Sequence, residues 1–213
     1  ISMEEILIAD SLRCHQQKNW ETPFSLRGLP GERIFVHGTR DQCRFLFEMV
    51  SGLRKPDVGC VSVLGQDLYT LPESELVIFR REKIAAIPQG GGFLPEFSLL
   101  EQLLWPLRLA GQEVELLRDR IQSLDLRYFP THNLYNPAKR CTVRTKSLAV
   151  LVRASLFQSK LIIMNSPFED LDAKDTEVIW EQAQKICDPS TCFLYLSSTP
   201  TPQQFSWTRQ LRI

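Results

Sequence analysis

An excess of charge of either sign is missing from this sequence: 25 lysines and arginines stand against 25 aspartates and glutamates. Without a global field, a chain does not gather nucleic acid or anionic lipid at long range, so no nucleic-acid partner is expected. Histidine is scarce, and His15, His37 and His132 form no ligand-spaced group. The six cysteines (Cys14, Cys43, Cys60, Cys141, Cys187, Cys192) include no CxxC pair. No metal site is expected, and free thiols in a reducing compartment are expected instead of a disulfide framework. No apolar run approaches the roughly 20 residues of a membrane span, and no signal-peptide pattern opens the sequence. These absences predict a cytosolic protein.

What is present is an alternation of apolar strands and amphipathic helices over 213 residues, enough for one compact domain with an inserted lobe. "EEILIAD", "RIFVH" (33–37), "GCVSVLG" (59–65), "IAAIPQ", "KLIIMN" and "TCFLYLS" read as strands. "CRFLFEMVSG", "ESELVIFRREK", residues 98–110, 113–124 and about 142–157, and "AKDTEVIWEQAQKI" read as helices. The nearly continuous apolar character of "RIFVH", "KLIIMN" and "CFLYLS" predicts a parallel sheet covered on both faces.

Order and spacing then carry a resemblance. "GLRKPDVGCVSVLGQDLYTLPESELVIFRREKIAAIPQ", "FLPEFSLLEQLLWPLRLAG", "LVRASLFQSKLIIMNSPFEDLD" and "FLYLSSTP" follow one another as the matching segments do in the ATP-binding subunits of ABC transporters. Among these the chain looks most like the short branch serving lipoprotein release, macrolide export and cell division. The resemblance implies a P-loop NTPase ABC-type α/β fold: a mainly parallel core, an antiparallel β subdomain and a helical lobe over about 90–157, all within a single domain 1–213. It also places Gln89 as the Q-loop glutamine, which in the family couples nucleotide state to the membrane subunit.

At the chemical positions the sequence departs from that family. A phosphate loop GxxxxGK[ST] needs glycines for close amide approach, a lysine and a magnesium-binding hydroxyl. In "GTRDQCRF" only Gly38 remains, with Cys43, Arg44 and Phe45 at the second glycine, lysine and hydroxyl positions. Asn165 and Ser166 stand where the resemblance implies a magnesium aspartate and a glutamate general base, and Ser198 where it implies the switch histidine. "CTVRT" aligns with the signature, keeping Thr142 for its serine but replacing both glycines by Val143 and Arg144. The adenine-stacking position falls on Trp20, Cys14 or His15. Asp41 is expected to cap the helix after Gly38 and to pair with Arg44, closing the loop on itself.

The resulting expectation is a pseudo-ATPase subunit with no catalytic residues and no cofactor, structural or coupling partner to a transmembrane subunit. It would work as a homodimer or with another ABC subunit, peripheral on the inner face of the membrane. Gly38, Arg44, Phe45, Gln89 and Thr142 are the residual cofactor positions. Gln89, Phe93, Phe97 and Asp172 are the partner-coupling candidates, although Gln89 reads equally as a strand end and Asp172 as a helix cap. Exposed members of the stripe Leu99, Leu100, Leu103, Leu104 and Leu107 would complete a docking groove. Two alternatives remain open: a subunit that still binds or slowly turns over ATP, and a binder of another anion through Arg40, Arg44 and Arg144.

Overall fold

The structure, a computed structural model, describes residues 4–15, 20, 22–111, 113, 115, 119, 121, 131–200 and 206–213. The helix expected over 113–124 lies largely outside them. The chain divides into two compact units.

The first unit comprises Ile1–Ala86, Ser159–Ser166 and Pro189–Ile213. Its antiparallel sheet has the order β2-β1-β4-β5, from β1 (Leu7–Arg13), β2 (Phe24–Gly28), β4 (Val58–Val63) and β5 (Gln66–Asp67). The second sheet runs β6-β7-β8-β3-β9, with β3 (Arg33–His37), β6 (Ile84–Ile87), β7 (Leu161–Asn165), β8 (Cys192–Ser197) and β9 (Arg209–Arg212). Strands β7, β8, β3 and β9 are parallel neighbours, with Phe35 opposite Tyr195 and Gln210, and Met164 opposite Tyr195. Buried β3, β7 and β8 are the apolar runs that the sequence predicts as strands. By contrast β9, "RQLR", is a half-exposed edge strand whose character comes from pairing with β3.

Helix α1 (Arg40–Val50) turns Cys43, Phe45, Leu46, Phe47, Met49 and Val50 into one apolar cluster that holds Ile34 and Val36 of one sheet and Val61 and Val63 of the other. Burial of each large side chain there contributes roughly 1.5–3 kcal/mol. Helix α2 (Glu73–Lys83) lies on the surface, with Leu76 and Phe79 packed against that cluster and no residue fully buried.

The second unit comprises Ile87–Gln158 and Pro167–Asp188. It contains α3 (Leu99–Leu109), α4 (Val143–Leu156) and α5 (Ala173–Ile186). A Ser98–Glu101 capping box starts α3. Leu99, Leu100, Leu103, Leu104 and Leu107 are all buried, so that stripe is entirely core and leaves no exposed member for a groove. A mainly parallel sheet, an antiparallel sheet and a helical unit are the elements that the resemblance implies.

Candidate functional site

In the first unit the decisive feature is where α1 begins. The sequence predicts a helix opening at Cys43 after a loop; the helix instead starts at Arg40, two residues beyond β3. Residues 40–43, which a phosphate loop would hold as open backbone, are wound into its first turn. The cap is Thr39 and not Asp41 as expected. Its hydroxyl accepts from Gln42 N at 3.2 Å, and the Gln42 side-chain oxygen accepts from Thr39 N at 2.8 Å. Thr39 is extended (φ −65°, ψ 160°), the backbone a cap requires. This reciprocal box is the T-x-x-Q signature, legible in "TRDQ" had the first turn been placed there. Asp41 sits inside the first turn and pairs with Arg44 at 3.2 Å, as expected.

Four amides of this segment, those of Gly38, Thr39, Gln42 and Cys43, are engaged by the protein itself. Gly38 N donates to Ser197 O at 3.2 Å, and Cys43 N to Thr39 O at 2.9 Å. Gly38 has a packing reason independent of any phosphate, since a Cβ there would stand 2.8 Å from Ile213 Cγ1. Cys43 is buried, and burial pushes its thiol up to about 11, so it is no nucleophile at neutral pH.

Phe45 occupies the position of the magnesium hydroxyl and is 5% exposed. The guanidiniums of Arg44 and Arg54 each lie 4.8 Å from its ring centroid. Both cations also hold carboxylates, Arg44 that of Asp41 and Arg54 that of Glu48 at 2.6 Å. Asn165 ends β7 beside Leu196. Ser166 takes a positive φ of 45°, donates its N–H to Leu196 O at 2.9 Å and its hydroxyl to the same carbonyl at 3.2 Å. Its side chain thus ties two strand ends together. Ser198 lies in a bend closed by the Ser197 and Thr199 hydroxyls, 2.8 Å apart. A ring, a neutral amide and a hydroxyl spent on a carbonyl do not form the oxygen set of a magnesium–nucleotide site. The residues present do not fit magnesium held in the family's manner.

In the second unit, Gln89, Arg144 and Asp172 find their partners within residues 169–175, while Thr142, Phe93 and Phe97 are held elsewhere. Gln89 donates from Nε2 to Glu169 Oε2 at 2.7 Å. Thr142 caps α4, accepting from Thr145 N at 3.1 Å. Arg144, at a signature-glycine position, pairs with Asp175 at 2.7 Å. Asp172 caps α5 by accepting from Asp175 N at 2.7 Å, the helix-cap reading. After Gln89 come Gly90, Gly91 and Gly92 with φ of 71°, 77° and 68°, and a Cβ on Gly91 would stand 2.8 Å from Val150 Cγ2. That turn needs glycine for its backbone and, at Gly91, for space. Phe93 is covered by the Arg153 guanidinium, 5.5 Å from its ring centroid. Phe97 (42%) and Leu94 (51%) are the exposed apolar residues nearby, with Phe97 edge-on to Trp105 at 4.7 Å. Buried Gln102 fixes that loop, accepting from Leu94 N at 2.6 Å and donating to the carbonyls of Leu94 and Phe97. Sequence reasoning missed Glu169 and Asp175, whose partners only the fold sets, and Gln42, Arg54 and Gln102, whose partners Thr39, Glu48 and Leu94 lie within eight residues.

No protein-family model matches the chain. Among curated proteins, it is 25% identical over 181 residues to the lipoprotein-releasing system ATP-binding protein LolD of Shewanella sp. (strain MR-7), covering 84% of this chain and 78% of that one. It is 28% identical over 167 residues to LolD 2 of Rhodospirillum rubrum, covering 77% and 72%. Among solved structures it superposes on the dimeric MJ0796, a bacterial ABC transporter cassette, with a TM-score of 0.77 at 17% identity over 91% of this chain and 88% of that one. The post-hydrolysis MJ0796 dimer bound to ADP and Pi gives 0.76 at 18% identity, again over 91% and 88%. These names correct one expectation: relatives described as ATP-binding proteins, and a neighbour holding ADP and Pi, contradict the reading that no cofactor belongs to this chain. The chain is thus similar in sequence to lipoprotein-releasing ATP-binding proteins, and it has the fold of the ATP-binding cassettes of ABC transporters.

Proposed function

We propose that this cassette is a non-hydrolysing subunit of an ABC-type membrane complex, acting as structural and coupling partner to a transmembrane subunit on the inner face of the membrane. The reading concerns hydrolysis; nucleotide remains the cofactor of its relatives. What carries it is the start of α1 at Arg40, which turns the phosphate loop into a capped helix with Phe45 buried beneath two guanidiniums. Hydrolysis also needs a base and a held magnesium, and Ser166 and Asn165 supply neither. Losses that act as a unit do not leave a proportionate remainder. Arg44 and Arg144 are both engaged by carboxylates, which argues against an open anion cleft built on them.

In this reading Gln89, Phe93, Phe97 and Asp172 belong to the coupling face, joined by Leu94, and the chain works as a homodimer or beside a second cassette. A homodimer fits better than an asymmetric pair with one working site. This chain departs from the family at both the phosphate loop and the signature, the two segments that a composite site takes from opposite subunits.

The test is phosphate release by the purified chain with ATP and magnesium, beside a LolD protein as positive control. Turnover at the level of the no-protein blank is expected. Magnesium-dependent turnover that disappears in Arg44→Ala or Asn165→Ala would sink the proposal.

A further inference from the structure

Arg153, on α4, carries a charge that the protein leaves unmet. Its guanidinium lies over the Phe93 ring and donates from Nη2 to Gly91 O at a long 3.4 Å. Among the described residues no carboxylate pairs with it, although a guanidinium offers five N–H donors. The acidic side chain of the adjoining loop, Glu96, is held by Lys139 instead. Burial lowers the Arg153 pKa, and no neighbouring charge offsets that effect. A half-buried cation without a counter-charge is costly, and here it adjoins exposed Leu94 and Phe97.

From this we infer that Phe93, Leu94, Phe97 and Arg153 form a docking face for an acidic amphipathic helix of the membrane partner, one carboxylate of which pairs with Arg153. The inference names the chemistry of the partner and rests on the coupling role proposed above. The face is already set: Gln102 bonds the backbone of Leu94 and Phe97, and Ala138 N donates to Phe97 O at 3.0 Å. A surface fixed before binding pays little ordering cost. Two apolar side chains three residues apart suit the apolar stripe of a helix, and one recessed guanidinium suits a single carboxylate. A lipid surface, by contrast, is held by clusters of exposed lysines and arginines.

The probes are three synthetic amphipathic helical peptides of about 18 residues, identical except for glutamate, glutamine or lysine at the edge of the apolar stripe. Each is titrated against the full-length chain and its Arg153→Met and Phe97→Glu variants. The glutamate peptide should bind roughly 10- to 100-fold tighter than the glutamine peptide, and the lysine peptide weakest. Arg153→Met should remove that preference. Phe97→Glu, which places a carboxylate on the face, should weaken the glutamate peptide most.

Equal binding of the three peptides by the unaltered chain overturns the inference, as does binding of none. A glutamate preference that survives in Arg153→Met overturns it too. If Arg153→Met does not fold, Phe97→Glu decides, because an unchanged order of peptides there places their site elsewhere. Capture of the unaltered chain by phosphatidylserine vesicles, lost in Phe97→Glu, would make the occupant a lipid surface and overturn the helix. Phosphate release is read separately: turnover removes the non-hydrolysing reading and leaves the peptide result standing, and failed peptide binding leaves the hydrolysis result standing.

Discussion

Two helix N-termini, α1 at Thr39 and α4 at Thr142, stand where the resemblance to ABC cassettes implies phosphate-handling segments, and both are capped by a threonine. They are closed in different ways. At α1 the closure is local: Gln42, three residues on, returns the bond, and Phe45 seals the turn from the core side. At α4 the Thr142 hydroxyl meets Thr145, while Arg144 reaches 31 residues along the chain to Asp175 at the start of α5. A local closure depends on a few neighbouring residues. A lateral one depends on how two helices pack, so it responds to salt and to changes on the other helix.

The sharpest way to break the first closure is through Phe45. Phe45→Ala removes a buried ring from the α1 cluster together with its contacts to Arg44 and Arg54, and should lower unfolding free energy by about 3–5 kcal/mol in urea titration. Phe45→Thr restores the family's hydroxyl and is expected to lose comparable stability without gaining phosphate release, since Asn165 and Ser166 stay as they are. A loss below about 1 kcal/mol would mean that the ring is not packed as described.

Alkaline pH tests the buried cores, that around α1 through Cys43 and Cys192 and that of the second unit through Cys187. Burial raises the thiols of Cys43 to about 11 and of Cys187 and Cys192 to about 12. Folding keeps them protonated, so their contribution is whole below the ordinary thiol value of about 8.5 and fades as pH rises towards 11 and 12. The melting temperature should therefore hold through neutral pH and decline above about pH 9. Replacing all three cysteines by alanine should flatten that decline, while replacing exposed Cys60 should leave it unchanged.

The two caps can also be compared directly. Thr39→Ala and Thr142→Ala should each cost about 0.5–2 kcal/mol. Thr39→Ala should cost more, because it also disturbs the reciprocal bond from Gln42. Equal costs would show that the box adds nothing beyond an ordinary cap.

The same contrast explains what the sequence revealed. Buried strands such as β3 and β7, and the helix "AKDTEVIWEQAQKI", were legible because apolar runs and helical periodicity are local signals. The residues Cys43, Arg44 and Phe45 after Gly38 are identities at fixed spacing, legible without any fold. The early start of α1 was not, although "TRDQ" spells a capping box, because a family pattern assigned those residues to a loop. Strand β9 and the Gln89–Glu169, Arg144–Asp175 and Phe45–Arg54 contacts join residues that only the fold brings together. Residue type alone points to Asp41 as the cap, but Thr39 stands one position before the helix and Asp41 does not.

The smallest expected effect tests the lateral closure. Arg144 and Asp175 are about one-third and one-quarter exposed, at 32% and 27%, so water and salt screen their attraction. A double-mutant cycle with Arg144→Met and Asp175→Asn should give a coupling of roughly 0.2–1 kcal/mol. That coupling should shrink between low salt and about 0.5 M salt, where the screening length falls well below 10 Å. A coupling near zero at low salt would leave α4 held to α5 by apolar packing alone and reduce Arg144 to a surface side chain. A salt-independent coupling above about 2 kcal/mol would mean that the pair is desolvated, and that the signature helix is held as tightly as the closed turn of α1.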